Sequence, residues 1–201
     1  MSVQLVPVDQ INTRGQSDMQ MAFTDKNGNY VFHEIPGGDY YLGVRLFRIA
    51  DLLFPYPRTF YPNTLNLNEA KIISIKEGDV LKDFDIKLGQ KLGQREVSGI
   101  VVFPDGKVAA NAMVSAEEVE YAESSLGFAF QAKDDGTFTI KVSEGLRYII
   151  RAVVSDKATY KQSHAEPIEI PASGDVNNLK LVITEPNGTC SKCNPWKRQP
   201  K

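Results

Sequence analysis

Several things are scarce in this 201-residue chain, and each scarcity removes a class of explanation. Cysteine occurs twice, as Cys190 and Cys193 near the C-terminus, so the body of the protein does not rest on a disulfide framework. Charge of one sign is not in excess. The 23 Lys and Arg against 25 Asp and Glu leave a formal net charge of -2, with acids and bases interspersed. The positive footprint of a nucleic-acid binder is therefore missing, apart from the short basic end Lys197, Arg198 and Lys201. No apolar run approaches the roughly 18 to 20 residues that cross a bilayer, and membrane insertion is not expected. The N-terminus shows no basic segment followed by an apolar one, so no signal peptide is visible in this chain. Either the protein is cytoplasmic or the chain is a piece of a longer exported one. Helical periodicity is scarce too, with Glu117 to Ser125 the one weak candidate.

Apolar residues make up 42% and charged residues 24%, the balance of a folded globular chain rather than a disordered one. The dominant feature is a repeat. TDKNGNYVFHEIPGGDYYLGVRL (Thr24 to Leu46) is answered by AKDDGTFTIKVSEGLRYIIRAVV (Ala132 to Val154). Each copy runs from a polar Asp and Gly turn through an alternating strand, a second Gly turn and another alternating strand. Phe138, Ile140 and Val142 alternate with Thr137, Thr139 and Lys141, the period of two that turns one face of a strand inward. Tyr148, Ile150, Ala152 and Val154 continue it, and Tyr40, Leu42, Val44 and Leu46 play the same part in the first copy. Asn27-Gly28 and Asp135-Gly136 are hairpin dipeptides.

Downstream, AKIISIKEGDVLKDFDIKL (Ala70 to Leu88) parallels AEPIEIPASGDVNNLKLVI (Ala165 to Ile183), with Phe84, Ile86 and Leu88 matching Leu179, Leu181 and Ile183 as inward positions. Short strands at this spacing predict an all-β protein of two tandem Greek-key β-sandwich domains. The expected boundaries are 1–90 and 91–186, a polar joint near Gly89 to Arg95, and a flexible tail over 187–201. The copies are unequal. The second opens with REVSGIVVFPDGKVAANAMVSAEE (Arg95 to Glu118), a strand, a turn and a strand, whereas the first begins at Ser2 to Asp9, which matches only the later strand. The first domain thus lacks its opening strand. The resulting unpaired edge is expected beside Val3 to Val8, with Met1 not the natural start of the domain or the gap filled by another chain.

These motifs resemble the carboxypeptidase regulatory-like domain. They are Val97-x-Gly99-x-Val101, the Asp105-Gly106 turn, Ala112 to Ala116, Asp134 to Ile140 and Gly145 to Ala152, with Asp25 to Phe32, Gly38 to Val44 and Phe60-Tyr61-Pro62 in the first copy. The resemblance implies a transthyretin-like β-sandwich of the carbohydrate-binding-like superfamily. It also implies a non-catalytic accessory module, frequently in tandem, in an exported or cell-envelope bacterial protein. Carbohydrate, or another protein domain of the same parent chain, is the partner it suggests, without a cofactor. The alternative is a structural spacer or stabilising pair with no ligand.

Residue by residue, catalysis finds little support. His33 and His164 fall at different positions of the two copies, and a triad or a His-rich metal site needs them to converge with a nucleophile or carboxylates. Asp25-Lys-Asn-Gly-Asn29 starts like a calcium loop, but an EF-hand requires Gly and Glu where Tyr30 and Pro36 stand, so a hairpin turn is the simpler account. Relatives of the Cna-B type carry a Lys–Asn crosslink that needs an inward Lys on the first strand, and Val97 to Phe103 has none. Cys190-Ser-Lys-Cys193 is half a zinc shell, leaving a local disulfide or two free thiols.

The candidate binding surface is RLFRIADLLFPYPRTFYPN (Arg45 to Asn63), a connection dense in aromatics. Phe54, Tyr56, Arg58, Phe60 and Tyr61 are its candidate ligand-binding residues, because rings beside guanidinium and amide groups stack on sugars. The competing expectation is that the rings fold inward and close one end of the sandwich.

Overall fold

The computed structural model describes residues 1–12, 18–46, 54–121, 128–155 and 162–184. Cys190, Cys193, Phe47 and Arg48 lie outside these residues, as do the tail and part of the aromatic connection. The described residues form two β units, the first over Met1–Gly93 and the second from Gln94 onward. Their regular structure is all strand, apart from three single turns of 3-10 helix. No helix among them is long and apolar enough to cross a membrane.

In the first unit, β1 (Ser2–Pro7), β2 (Gln20–Phe23), β3 (Gly38–Val44), β4 (Thr59–Phe60) and β5 (Ile72–Ile75) form one sheet. Its order is β2-β1-β3-β4, with β5 also on β3. The second unit contains β6 (Gln94–Val102), β7 (Met113–Glu118), β8 (Phe128–Gln131), β9 (Thr137–Ser143), β10 (Tyr148–Ser155), β11 (Gln162–Ala165), β12 (Ile168–Ile170) and β13 (Val176–Thr184). These run in the order β8-β7-β10-β11-β13-β6-β9, with β12 on β10. Alternation sets the faces: Phe138, Ile140 and Val142 are buried while Thr139 and Lys141 are exposed. The inward set joins Val97, Val101, Tyr148, Ile150, Leu181 and Ile183 in one core.

The repeat is visible in register. Leu5 pairs with Leu42 and Tyr40 with Ile73 in the first unit; Ala116 pairs with Ile150 and Tyr148 with Ile170 in the second. The turns share their backbone hydrogen bonds. Asp25 N–H donates to Asn29 O at 2.9 Å and Gly28 N–H to Asp25 O at 3.1 Å; Lys133 N–H donates to Thr137 O at 2.9 Å and Gly136 N–H to Lys133 O at 2.8 Å. Gly28 and Gly136 sit at φ 89° and 76°, a region that a residue with a Cβ enters at a cost.

One carboxylate organises each of these turns. Asp25 accepts from the N–H groups of Asn27 and Asn29 and from the Asn29 amide, and Asp135 accepts from the N–H and hydroxyl of Thr137. Hydrogen bonds to the charged form, from Asn29 and from Thr137 above all, hold both carboxyls below the usual carboxylate range. A depressed folded pKa contributes stability above the unfolded value, and that contribution is lost as pH falls through the folded one. In an NMR titration of side-chain carboxyls, Asp25 and Asp135 are expected to titrate below the usual carboxylate range. Asp25→Asn should abolish the acid-side loss at its own turn only.

Two expectations change and a third is sharpened. Val3 to Val8 is not an uncovered edge, because β1 is paired by β2 on one side and β3 on the other. Its counterpart β7 is flanked in the same way by β8 and β10. The expectation of a gap beside this strand, filled by another chain, fails with it; β6, which has no counterpart in the first copy of the repeat, has β9 and β13 as its neighbours. Second, the strands expected at Tyr30 to Phe32 and Phe84 to Leu88 are not strands, because alternation alone does not make a ladder and neither segment pairs with a described strand. Third, Arg95, the last residue of the expected joint and the first of the expected opening strand, lies inside β6, while Glu117 and Glu118 of the weak helical candidate end β7 ahead of a single 3-10 turn at Val119–Tyr121.

Candidate functional site

The aromatic connection returns to the first unit at β4, a two-residue strand on β3, with Gly43 opposite Phe60 and Val44 opposite Thr59. Gly43 is required there. A Cβ on it would fall inside contact distance of the Thr59 carbonyl oxygen and 3.1 Å from the Leu46 Cγ. Beyond β4 the chain is pinned by Tyr61 N–H to Leu42 O at 2.8 Å and by Lys71 N–H to Tyr61 O at 2.9 Å.

This anchoring decides where the five candidate residues go. Phe60 is 0% exposed, among Val6, Ile11 and Leu46, with its ring edge-on to Tyr41 at 6.1 Å between centroids. Its neighbour Tyr61 points to the other side of the chain and packs at 5.1 Å against Phe84, in the cluster of Val3, Leu5, Tyr40, Leu42 and Ile73. Arg58 is 4% exposed. Phe54 and Tyr56 are half-buried, and the Lys91 ammonium lies 6.0 Å from the Tyr56 ring centroid. The Leu92 N–H donates to Pro55 O at 2.6 Å, tying the end of the unit to this connection. Two of the five candidates, Arg58 and Phe60, are thus buried, and Phe54, Tyr56 and Tyr61 keep part of their surface.

Two features escaped the sequence reading. One is Arg95, buried at the start of β6. Its guanidinium donates to Gly174 O at 2.9 Å, to Leu146 O at 3.2 Å and to Pro171 O, with Glu144 at 3.7 Å. One side chain therefore ties β6 to the turns before β10 and before β13. Its spacing was the available signal, since Arg95 lies in phase with Val97 and Val101 on the inward face of β6.

The other is a groove of about 700 Å³ in the first unit. Tyr30 and Phe32 line one bank, Val80 and Phe84 the other, with Leu42 and Ile73 among the remaining lining residues. The Tyr30 hydroxyl reaches across and donates to the Phe84 carbonyl. Burial, followed by the charge of Asp85 and the neighbouring Tyr61, pushes the Tyr30 phenol up to about 12, so it remains a donor at neutral pH.

Among the described residues, no group of three or more His, Cys, Asp or Glu stands close enough to hold a metal ion. His33 is exposed, and His164 lies on β11 opposite Val153 and Thr184.

No family model matches the chain, and no curated protein does. Among solved structures it is similar to a DUF3823 family protein from Parabacteroides merdae, at 15% identity over 47% of each chain with a TM-score of 0.33. It is also similar to the Streptococcal ancillary pilin, at 17% identity over 91% of this chain and 57% of that one, with a TM-score of 0.39. The shaft pilin spaA from Lactobacillus rhamnosus GG aligns at 9% identity over 92% of this chain and 84% of that one, with a TM-score of 0.34. The chain thus spans about half the length of the first two, 47% and 57%. Likenesses this distant carry no argument about activity or ligand.

Proposed function

We propose that the chain is a non-catalytic structural module, a pair of β units in an exported or cell-envelope bacterial protein. In this reading the aromatic connection packs the first unit instead of holding a ligand. The observation that carries it is the full burial of Phe60 together with the near-complete burial of Arg58, which takes the centre of the aromatic segment away from solvent. A sugar platform needs ring faces open on one side, and the fully buried Phe60 ring offers none. The motifs that resemble carboxypeptidase regulatory-like domains support the accessory role and the exported setting.

Carbohydrate binding is the second reading, favoured by the half-buried Tyr56 with Lys91 over its ring. A glycan array probed with the chain and with Tyr56→Ala and Tyr61→Ala separates the two. On the structural reading, neither variant changes glycan binding, and Tyr61→Ala lowers stability by about 2 kcal/mol through lost packing on Phe84. Glycan binding that disappears in Tyr56→Ala at unchanged stability would sink it.

A further inference from the structure

The groove of the first unit reaches down to that unit's own core. Leu5 of β1, Leu42 of β3 and Ile73 of β5 line it, none more than 6% exposed, and they form an aliphatic floor. Two irregular segments carry the banks and bring the rings of Tyr30, Phe32 and Phe84 to the same space. Tyr30 and Phe32 stand edge-on, 5.9 Å between centroids, and the Tyr30 hydroxyl closes on the Phe84 carbonyl. Val31 and Val80, 64% and 81% exposed, leave apolar side chains in water at the mouth. A space of about 700 Å³ with this lining has the size and character of a small-molecule site. None of Phe54, Tyr56, Arg58, Phe60 and Tyr61 lines it.

The charged residues of the lining select the class of ligand. Glu34, Asp79, Asp83 and Asp85 stand there against Lys76 and Lys82, so carboxylates outnumber ammonium groups. Asp79 is engaged in its own turn, where it accepts from Lys76 N–H at 2.9 Å. Glu34, Asp83 and Asp85 are exposed, and among the described residues none of them forms an ion pair. Asp83 and Asp85 bracket Phe84 in the chain, placing a carboxylate on either side of one ring. Asp85 also stands near enough to Tyr30 for its charge, after burial, to help keep the phenol neutral. Aromatic rings and unpaired carboxylates act in the same sense on a ligand, attracting a cation and repelling an anion. A sugar fits poorly, because the aliphatic floor would leave its hydroxyls without partners.

We propose that the groove binds a small organic cation, a substituted ammonium group carried on an apolar body. The body lies on Leu5, Leu42 and Ile73 and covers the valines at the mouth. The ammonium group sits beside Tyr30 and Phe84, where the ring and the carboxylates of Asp83 and Asp85 act on one charge. This goes beyond the structural role proposed above and does not depend on the aromatic connection.

The test titrates the full chain with benzyltrimethylammonium, and with 2-phenylethanol and phenylacetate as neutral and anionic probes, followed by NMR. The cation should shift Tyr30, Phe32, Phe84 and the Leu42 and Ile73 methyl groups saturably, and bind about tenfold more tightly than either other probe. The double variant Asp83→Asn, Asp85→Asn keeps the shape of both side chains, and Asn holds the positive φ of Asp83, 67°, as it does at Asn178, 62°. It should weaken the cation about tenfold and leave 2-phenylethanol binding where it was, which shows the groove intact. The proposal is overturned if no saturable shift appears, if the shifts fall on other segments, if the cation binds no better than 2-phenylethanol, or if the double variant binds it equally well. Glycan binding through Tyr56 would leave this result untouched, so the two readings fail separately.

Discussion

Phe60→Ala lowers the unfolding free energy of the first unit by about 3 to 5 kcal/mol, the range for removing a fully buried phenylalanine. Phe60 is the largest side chain of its cluster; Val6, Ile11 and Leu46 surround it, and Tyr41 meets its ring edge-on. The surroundings are also tied down. The Phe60 N–H donates to Thr64 O at 2.7 Å, and the buried Gln4 side chain accepts from Leu46 N–H at 2.5 Å, which limits collapse around the lost ring. A site that cannot collapse retains its cavity, so the loss belongs at the upper end of the range. Urea denaturation of the full chain, with exchange rates assigning the transition to the first unit, measures it. A loss below about 1 kcal/mol would mean that Phe60 is not the packed anchor described here.

The second large effect belongs to Gly99→Ala, expected to cost the second unit about 3 kcal/mol. A Cβ at this position would lie inside the contact distance of the Leu179 carbonyl oxygen and 2.8 Å from its carbonyl carbon. Those atoms are backbone of β13 and cannot rotate away as a side-chain tip would. Either β6 and β13 part, weakening the parallel ladder, or β6 bends and loses its fit over Phe138. Gly106→Ala is the matched control. Gly106 has a positive φ of 86° but open space where its Cβ would go, so only the conformational cost of about 1 kcal/mol applies. Equal losses in the two variants would refute the close-approach argument.

The turns and the inward faces were legible in the sequence because they are local. Asp25 and Asp135 with their glycines set four-residue geometries, and alternation alone placed Phe138, Ile140 and Val142 inside. Tyr30 to Phe32 and Phe84 to Leu88 have the same alternation yet are not strands, because a strand is a pairing and a segment's own alternation does not supply its partner. The edge expected at Val3 to Val8 failed for the same reason, since β1 is covered by β2 and β3, partners that its own residues do not announce. The aromatic connection failed to declare itself for a different reason. Composition named Phe60 and Tyr61 but not the direction each would take, and that direction is set by β4 docking beside Gly43.

The parallel pairing of β6 with β13 has a mechanical consequence. The chain enters the second unit at the Gln94 end of β6 and leaves β13 at the Thr184 end, and because the strands are parallel these are opposite ends of the pair. Tension drawn along the chain slides the two strands past each other and strains their hydrogen bonds together, where a hairpin pulled at its open end would surrender them one at a time. Val97 and Val176, side by side in this ladder, clamp shut the loop of chain between them, which stays folded until the pair gives way.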